Sequence, residues 1–108
     1  MLGPDHSDTL AAATNLAHIL SAQGELDGAK AMFERALAGY EAVLGPEHPD
    51  TLDAVDDLAA LLCLRGETGE AAVLFERASA GFERALGPTH LSSLRAADSV
   101  RRLAARRR

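Results

Sequence analysis

The sequence predicts an all-α protein: an α-solenoid of two full helical-hairpin repeats and one closing helix, five helices in all. Three observations carry that prediction. A 42-residue unit opening at Leu2-Gly3-Pro4 recurs from Leu44-Gly45-Pro46, and its first half recurs from Leu86-Gly87-Pro88. A fixed period of this length is the signature of stacked supersecondary units. Within each unit the apolar residues recur at steps of three and four, the spacing of one helix face, and no segment shows the alternation of a strand. The organisation that follows is a single domain over residues 1–108, with repeats at 2–43 and 44–85 and a capping helix at 86–108.

Units 2–43 and 44–85 align without a gap and share 21 of 42 residues. In the first helix of each unit the apolar stripe is Leu10, Ala13, Leu16, Ala17 and Leu20, then Leu52, Val55, Leu58, Ala59 and Leu62. Pro49 suits the first helical position, and Asp50 suits the positive end of the helix dipole. Gly24 and Gly66 stand where a residue able to take positive φ ends that helix. The second helix shows Ala29, Phe33, Ala36, Tyr40 and Val43, then Ala71, Phe75, Ala78, Phe82 and Ala85. It closes at Gly45 and Gly87, each followed by a proline that cannot continue a helix. Gly39 and Gly81 fall inside the second helices at a cost of about 1 kcal/mol each against alanine, which close helix approach would offset.

The third unit keeps Leu86-Gly87-Pro88, His90, Leu94 and Ala96, then departs: Arg101 stands where Ala17 and Ala59 stand, and Arg102 where His18 and Ala60 stand. A helix packed on both sides does not accept an unpaired arginine. The expectation is a capping helix with Leu94, Ala97, Val100 and Ala104 on its buried face, as repeat arrays need for solubility. No comparable cap is expected at the N-terminal end.

This pattern resembles the tetratricopeptide repeat, in the 42-residue variety of kinesin light chains and many bacterial arrays. The resemblance rests on Leu16-Ala17, Leu20, Ala29, Phe33 and Ala36, repeated as Leu58-Ala59, Leu62, Ala71, Phe75 and Ala78. It rests also on the linker Leu44-Gly45-Pro46-Glu47-His48-Pro49-Asp50-Thr51, and it covers the chain after Met1. The physical logic agrees: small Ala17 and Ala29 let two helices approach, and Phe33 fills the space between them.

Composition narrows the class further. The chain is 47% hydrophobic, 25% charged and 4% aromatic, with no Trp, which is too apolar for disorder. One cysteine, Cys63, excludes an intramolecular disulfide framework. The longest apolar run, Leu58 to Leu64, falls far short of the roughly 20 residues a bilayer span needs. No signal peptide opens the sequence, so a cytoplasmic location and no membrane partner are expected.

The net charge of −5 divides unevenly: −10 over residues 1–94 and +5 over 95–108. The arginines suit the negative end of a helix dipole, and their other use is docking on an acidic surface, including the body of another copy. Nucleic acid is not expected as a partner, because interleaved aromatics are missing and the acidic body repels phosphate.

The resemblance implies that the first helix of each unit lines a concave groove. The groove-facing residues would be Thr14, Asn15 and His18, then Asp53, Asp56, Asp57 and Ala60, then Arg95, Asp98, Ser99 and Arg102. Carboxylates at 53, 56 and 57 share one helix face, where like charges repel unless a cation sits among them. The expected function is therefore a non-catalytic protein-interaction module holding a basic peptide or protein segment. The alternative is a self-associating unit, a homodimer through exposed repeat ends or through the Arg-rich helix. No cofactor, metal or catalytic residue is expected. His6, His48 and His90 recur with the period and imply a capping or packing role, His18 stands alone, and none has the ligand spacing of a zinc site. Cys63 reads as a buried or groove-lining thiol.

Overall fold

The computed structural model describes residues 7–106, which form α1 (Ser7–Ala22), α2 (Leu26–Leu44), α3 (Pro49–Leu64), α4 (Thr68–Leu86) and α5 (Leu91–Arg106). There is no strand among the described residues. Each helix packs on the next in chain order, giving a flattened body of 46 × 32 × 18 Å. This is the all-α stack of helical hairpins that the 42-residue period predicts.

The core follows the small-residue positions. Ala17, Ala29, Ala59 and Ala71 are fully buried, and Phe33 and Phe75 fill the spaces between their helices. The two mid-helix glycines allow the closest approaches. A Cβ at Gly39 would collide with Leu10 Cδ2, and one at Gly81 would lie 2.6 Å from Leu52 Cδ2. Each leucine thus seats on the glycine of its own repeat's second helix, where any larger residue would intrude.

The linkers between units are built by their recurring residues. Gly45 and Gly87 take φ of +91° and +89°, a region only glycine enters cheaply, and close α2 and α4 before the proline. His48 caps α3: its Nδ1 accepts from the Asp50 backbone N–H at 3.0 Å, and His90 Nδ1 does the same for Ser92 N–H at 3.1 Å. The capping role read from the histidine period therefore holds at these two; His6 lies outside the described residues. The buried Thr51 hydroxyl donates to the Gly45 carbonyl at 2.7 Å, and Ser93 repeats the bond to Gly87 at 2.6 Å.

Ion pairs brace the stack, some across the junction between units and some within the second unit. Arg77 meets Glu41 at 2.7 Å and Arg84 meets Glu47 at 2.5 Å, while Arg65 joins Asp27 and Glu67, and Glu67 also reaches Lys30. Exposed pairs of this kind each contribute at most about 1 kcal/mol, so they set register more than stability.

Two expectations about the outer helices need correction. The buried face of α5 is Ser93, Ala96 and Leu103 with Val100 beside them, and Leu94 is 51% exposed although Leu10 and Leu52, its counterparts, are buried. Those counterparts pack on Gly39 and Gly81 in the second helix of their own hairpin, and no described helix follows α5 to do the same. Leu16, expected in the buried stripe of α1, is 45% exposed, because no described helix precedes α1. Arg101 is exposed, as a capping helix requires.

Candidate functional site

The first helices α1, α3 and α5 share one face of the stack, and positions one repeat apart come side by side on it. Two clefts flank α3. The one towards α1 has a volume of about 230 Å³ and is lined by Thr14 and Asn15 of α1, Tyr40 of α2, and Asp50, Asp53 and Asp57 of α3. The one towards α5, of about 270 Å³, is lined by Asp53, Asp56 and Asp57 together with Phe82, Ser92 and Arg95. Asp53 and Asp57 border both, so the carboxylates form a ridge between the clefts.

The ridge is electrostatically uncomfortable. Burial is the main force pushing the carboxyls of Asp53, Asp56 and Asp57 above the ordinary aspartate value. Mutual repulsion adds to it: Asp50 and Asp56 act on Asp53, Asp57 acts on Asp56, and Asp53 acts on Asp57. Arg95 works in the opposite direction on Asp53 and Asp56, and His18 does so on Asp57, with Nε2 3.5 Å from Asp57 Oδ2. The His18 ring is held edge-on to Phe33, centroids 5.0 Å apart. Asp56 Oδ1 is shielded from solvent and accepts no hydrogen bond from the described residues. A polar atom in that state costs free energy until a donor reaches it.

The remaining expected groove residues divide. Thr14 donates its hydroxyl back to the Leu10 carbonyl at 3.0 Å. Arg102, Ala60 and Ser99 border a third cleft of about 360 Å³ with Cys63, Leu64, Phe75, Leu103 and Arg106, so Cys63 is a half-buried, cleft-lining thiol. Asp98 lines none of these clefts and is engaged within its own helix by Arg101 at 3.5 Å and Arg102 at 3.2 Å. Tyr40 and Asp50 of the first cleft, and Phe82 and Ser92 of the second, are not among those the sequence points to. Tyr40 aligns with Phe82 and so reads as core; its phenol is the available signal that one end faces a polar cleft. Burial is also the leading force pushing the pKa of that phenol above its ordinary value, with Asp50 adding to it.

Stacked helical hairpins with a recurrent linker and a shared groove-forming face define a helical-repeat protein of the interaction-scaffold class. The tetratricopeptide repeat profile matches residues 8–84. The chain belongs to the tetratricopeptide repeat family and is of the kinesin-light-chain-like type. It is similar to the crystal structure of a Podosopora anserina protein that carries the kinesin light chain name and consists of nearly identical TPR-like repeats, and to a single-substitution variant of that protein. For each, identity is 28%, the TM-score is 0.87, and the match covers 95% of this chain and 49% of the other. The chain thus spans about half the length of those solved proteins. No curated protein sequence matches it. Tetratricopeptide repeats are in general protein-interaction modules. No helix among the described residues is long and apolar enough to cross a membrane.

Proposed function

We propose that this chain is a non-catalytic adaptor of the cytoplasm that holds a lysine- or arginine-bearing segment of a protein partner against the face shared by α1, α3 and α5. The observation that carries the reading is the carboxylate ridge: three mutually repelling aspartates on one helix face, Asp53 exposed and Asp56 and Asp57 half-buried, with Asp56 Oδ1 shielded and unpaired. An ammonium or guanidinium placed over the ridge supplies the missing charge and donors to its accessible carboxylate oxygens. The flanking clefts add Thr14, Asn15 and Tyr40 as polar contacts towards α1, and Ser92 towards α5. Arg95 and Arg102 grade the groove towards positive at its α5 end, so a segment with its cations ahead of an acidic or neutral stretch fits in one direction. Nucleic acid and membrane surfaces present phosphate to this ridge and are disfavoured by the same charges.

The test is titration of Lys- and Arg-containing peptides, and their Glu-substituted counterparts, against the wild-type chain and the combined variant Asp53→Asn, Asp56→Asn and Asp57→Asn. The basic peptides should bind, salt should weaken them, and the variant should lose at least about tenfold in affinity, the loss of one charged partner group. Equal binding by the variant with helicity intact, or preference for the acidic peptides, overturns the reading.

A further inference from the structure

One apolar stripe occurs three times in this chain, as Ala12-Leu16-Ile19 in α1, Ala54-Leu58-Leu61 in α3 and Ala96-Val100-Leu103 in α5, each set 42 residues from the next. In α5 it lies against the second helix of the unit before, with Val100 and Leu103 bordering the same small cleft as Ala72 and Glu76 of α4. In α3 it is covered likewise, since α3 packs directly on α2, and Leu58 and Leu61 are 6% and 2% exposed. In α1 the same stripe is open: Ala12 is exposed, and Leu16 and Ile19 are 45% and 54% exposed. The covered copies show what shape fits the open one.

Charge repeats the same pattern. At the junction within the chain, Arg77 of α4 reaches back to Glu41 of α2 at 2.7 Å. Arg35 holds the Arg77 position one unit earlier; it is exposed, with no ion-pair partner among the described residues. The opposite end of the stack is unlike this one. There, Arg101 stands where Ala17 and Ala59 admit a following helix, so α5 closes the array. The stack is sealed at one end and shaped for continuation at the other.

We propose that the outer face of α1, with Arg35 beside it, is a docking surface for another helical hairpin of this same 42-residue type, presented by its second helix and carrying a glutamate where Glu41 stands. Apolar burial of Ala12, Leu16 and Ile19 supplies the attraction, and the Arg35–glutamate pair fixes the register, as Arg77 and Glu41 do inside the chain. An intact second copy does not offer such a face: the second helix of its last full hairpin is already covered by α5, and Arg101 blocks α5 itself.

The experiment is a thermal melt of the 108-residue chain beside the same chain carrying one extra copy of residues 2–43 ahead of Leu2, each with and without Leu16→Glu plus Ile19→Glu. The extra unit should raise Tm by about 5 °C or more in a single transition. The paired substitution should remove most of that gain yet move the 108-residue chain by less than about 2 °C, because both side chains are exposed there. Arg35→Glu should remove part of the gain, and Glu→Arg at the Glu41 position of the added unit should restore it. Two separate transitions, or a gain indifferent to the Leu16 and Ile19 substitutions, overturn the proposal. So does a dimer of the 108-residue chain in sedimentation that the same pair abolishes, since the occupant is then a second copy. Basic-peptide capture by the groove, read on the same variants, should not change.

Discussion

Helices α1 and α3 begin from nearly the same instructions and end in different circumstances. Leu10, Ala12, Leu16, Ala17 and Leu20 in one are Leu52, Ala54, Leu58, Ala59 and Leu62 in the other. Leu10 and Ala17 face their own hairpin partner α2 and are buried as Leu52 and Ala59 are. Ala12 and Leu16 face outward from the stack, whereas Ala54 and Leu58 face α2 and are buried. Burial at some of these positions is therefore set within the hairpin, and at others by the neighbouring unit, which is how energy is distributed in a one-dimensional array. The same division explains Leu94, apolar by repeat yet exposed for want of a following helix.

The widest separation between the two helices should come from the stripe itself. Leu58→Ala or Leu61→Ala removes a side chain packed between two units and should cost about 2–5 kcal/mol, whereas Leu16→Ala or Ile19→Ala in α1 should cost under about 1 kcal/mol. Chemical denaturation of the four variants reads this directly. Equal losses would mean that α1 is covered in solution.

The glycines sharpen the comparison within a repeat. Gly81→Ala places a Cβ 2.6 Å from Leu52 and should cost about 1–3 kcal/mol by overpacking. Gly69→Ala in the first turn of α4 meets nothing within 4 Å and should instead gain up to about 1 kcal/mol. Denaturation midpoints of opposite sign for two Gly→Ala changes in one helix are the expected result.

The smallest effect, and the one tied to the site, is in pH. Asp53, Asp56 and Asp57 have folded-state values raised above the ordinary 3.8, so they penalise the fold when ionised, and the penalty fades as pH falls through the raised values towards 3.8. Asp27 and Glu67, held down chiefly by hydrogen bonds from Arg65, act oppositely: their contribution is present at neutral pH and is lost only as pH falls through their lowered values. Asp27 is exposed and Glu67 partly so, which screens their pairing, so the ridge should dominate the window above 3.8. The combined Asp→Asn variant should accordingly melt higher than wild type at pH 7, with the difference closing as pH approaches 3.8. A difference that widens on acidification contradicts the assignment.

Much of this is legible in the sequence for a physical reason: a repeat prints its packing rules more than once. The helices, the glycine stops, the histidine caps and the alanine-to-alanine approaches are readable because local geometry dictates them. What escapes depends on neighbours. The register of α5 on α4, the exposure of Leu16, and Arg65 pairing with Asp27 across 38 residues are set by which unit lies beside which. In the groove, the acidic ridge is visible as spacing, but the shielding of Asp56 Oδ1 and the presence of Tyr40 require the second helices to be in place. Asp98 shows the converse, a residue at the right repeat position whose own arginine neighbours occupy it.

Amide hydrogen exchange on the unmodified chain tests most directly the claim that equivalent apolar stripes differ chiefly by what covers them. The account predicts slowest exchange in α2, α3 and α4, which have neighbours on both sides, and markedly faster exchange in α1 than in α3 despite their related sequences. Equal protection of α1 and α3 would contradict it.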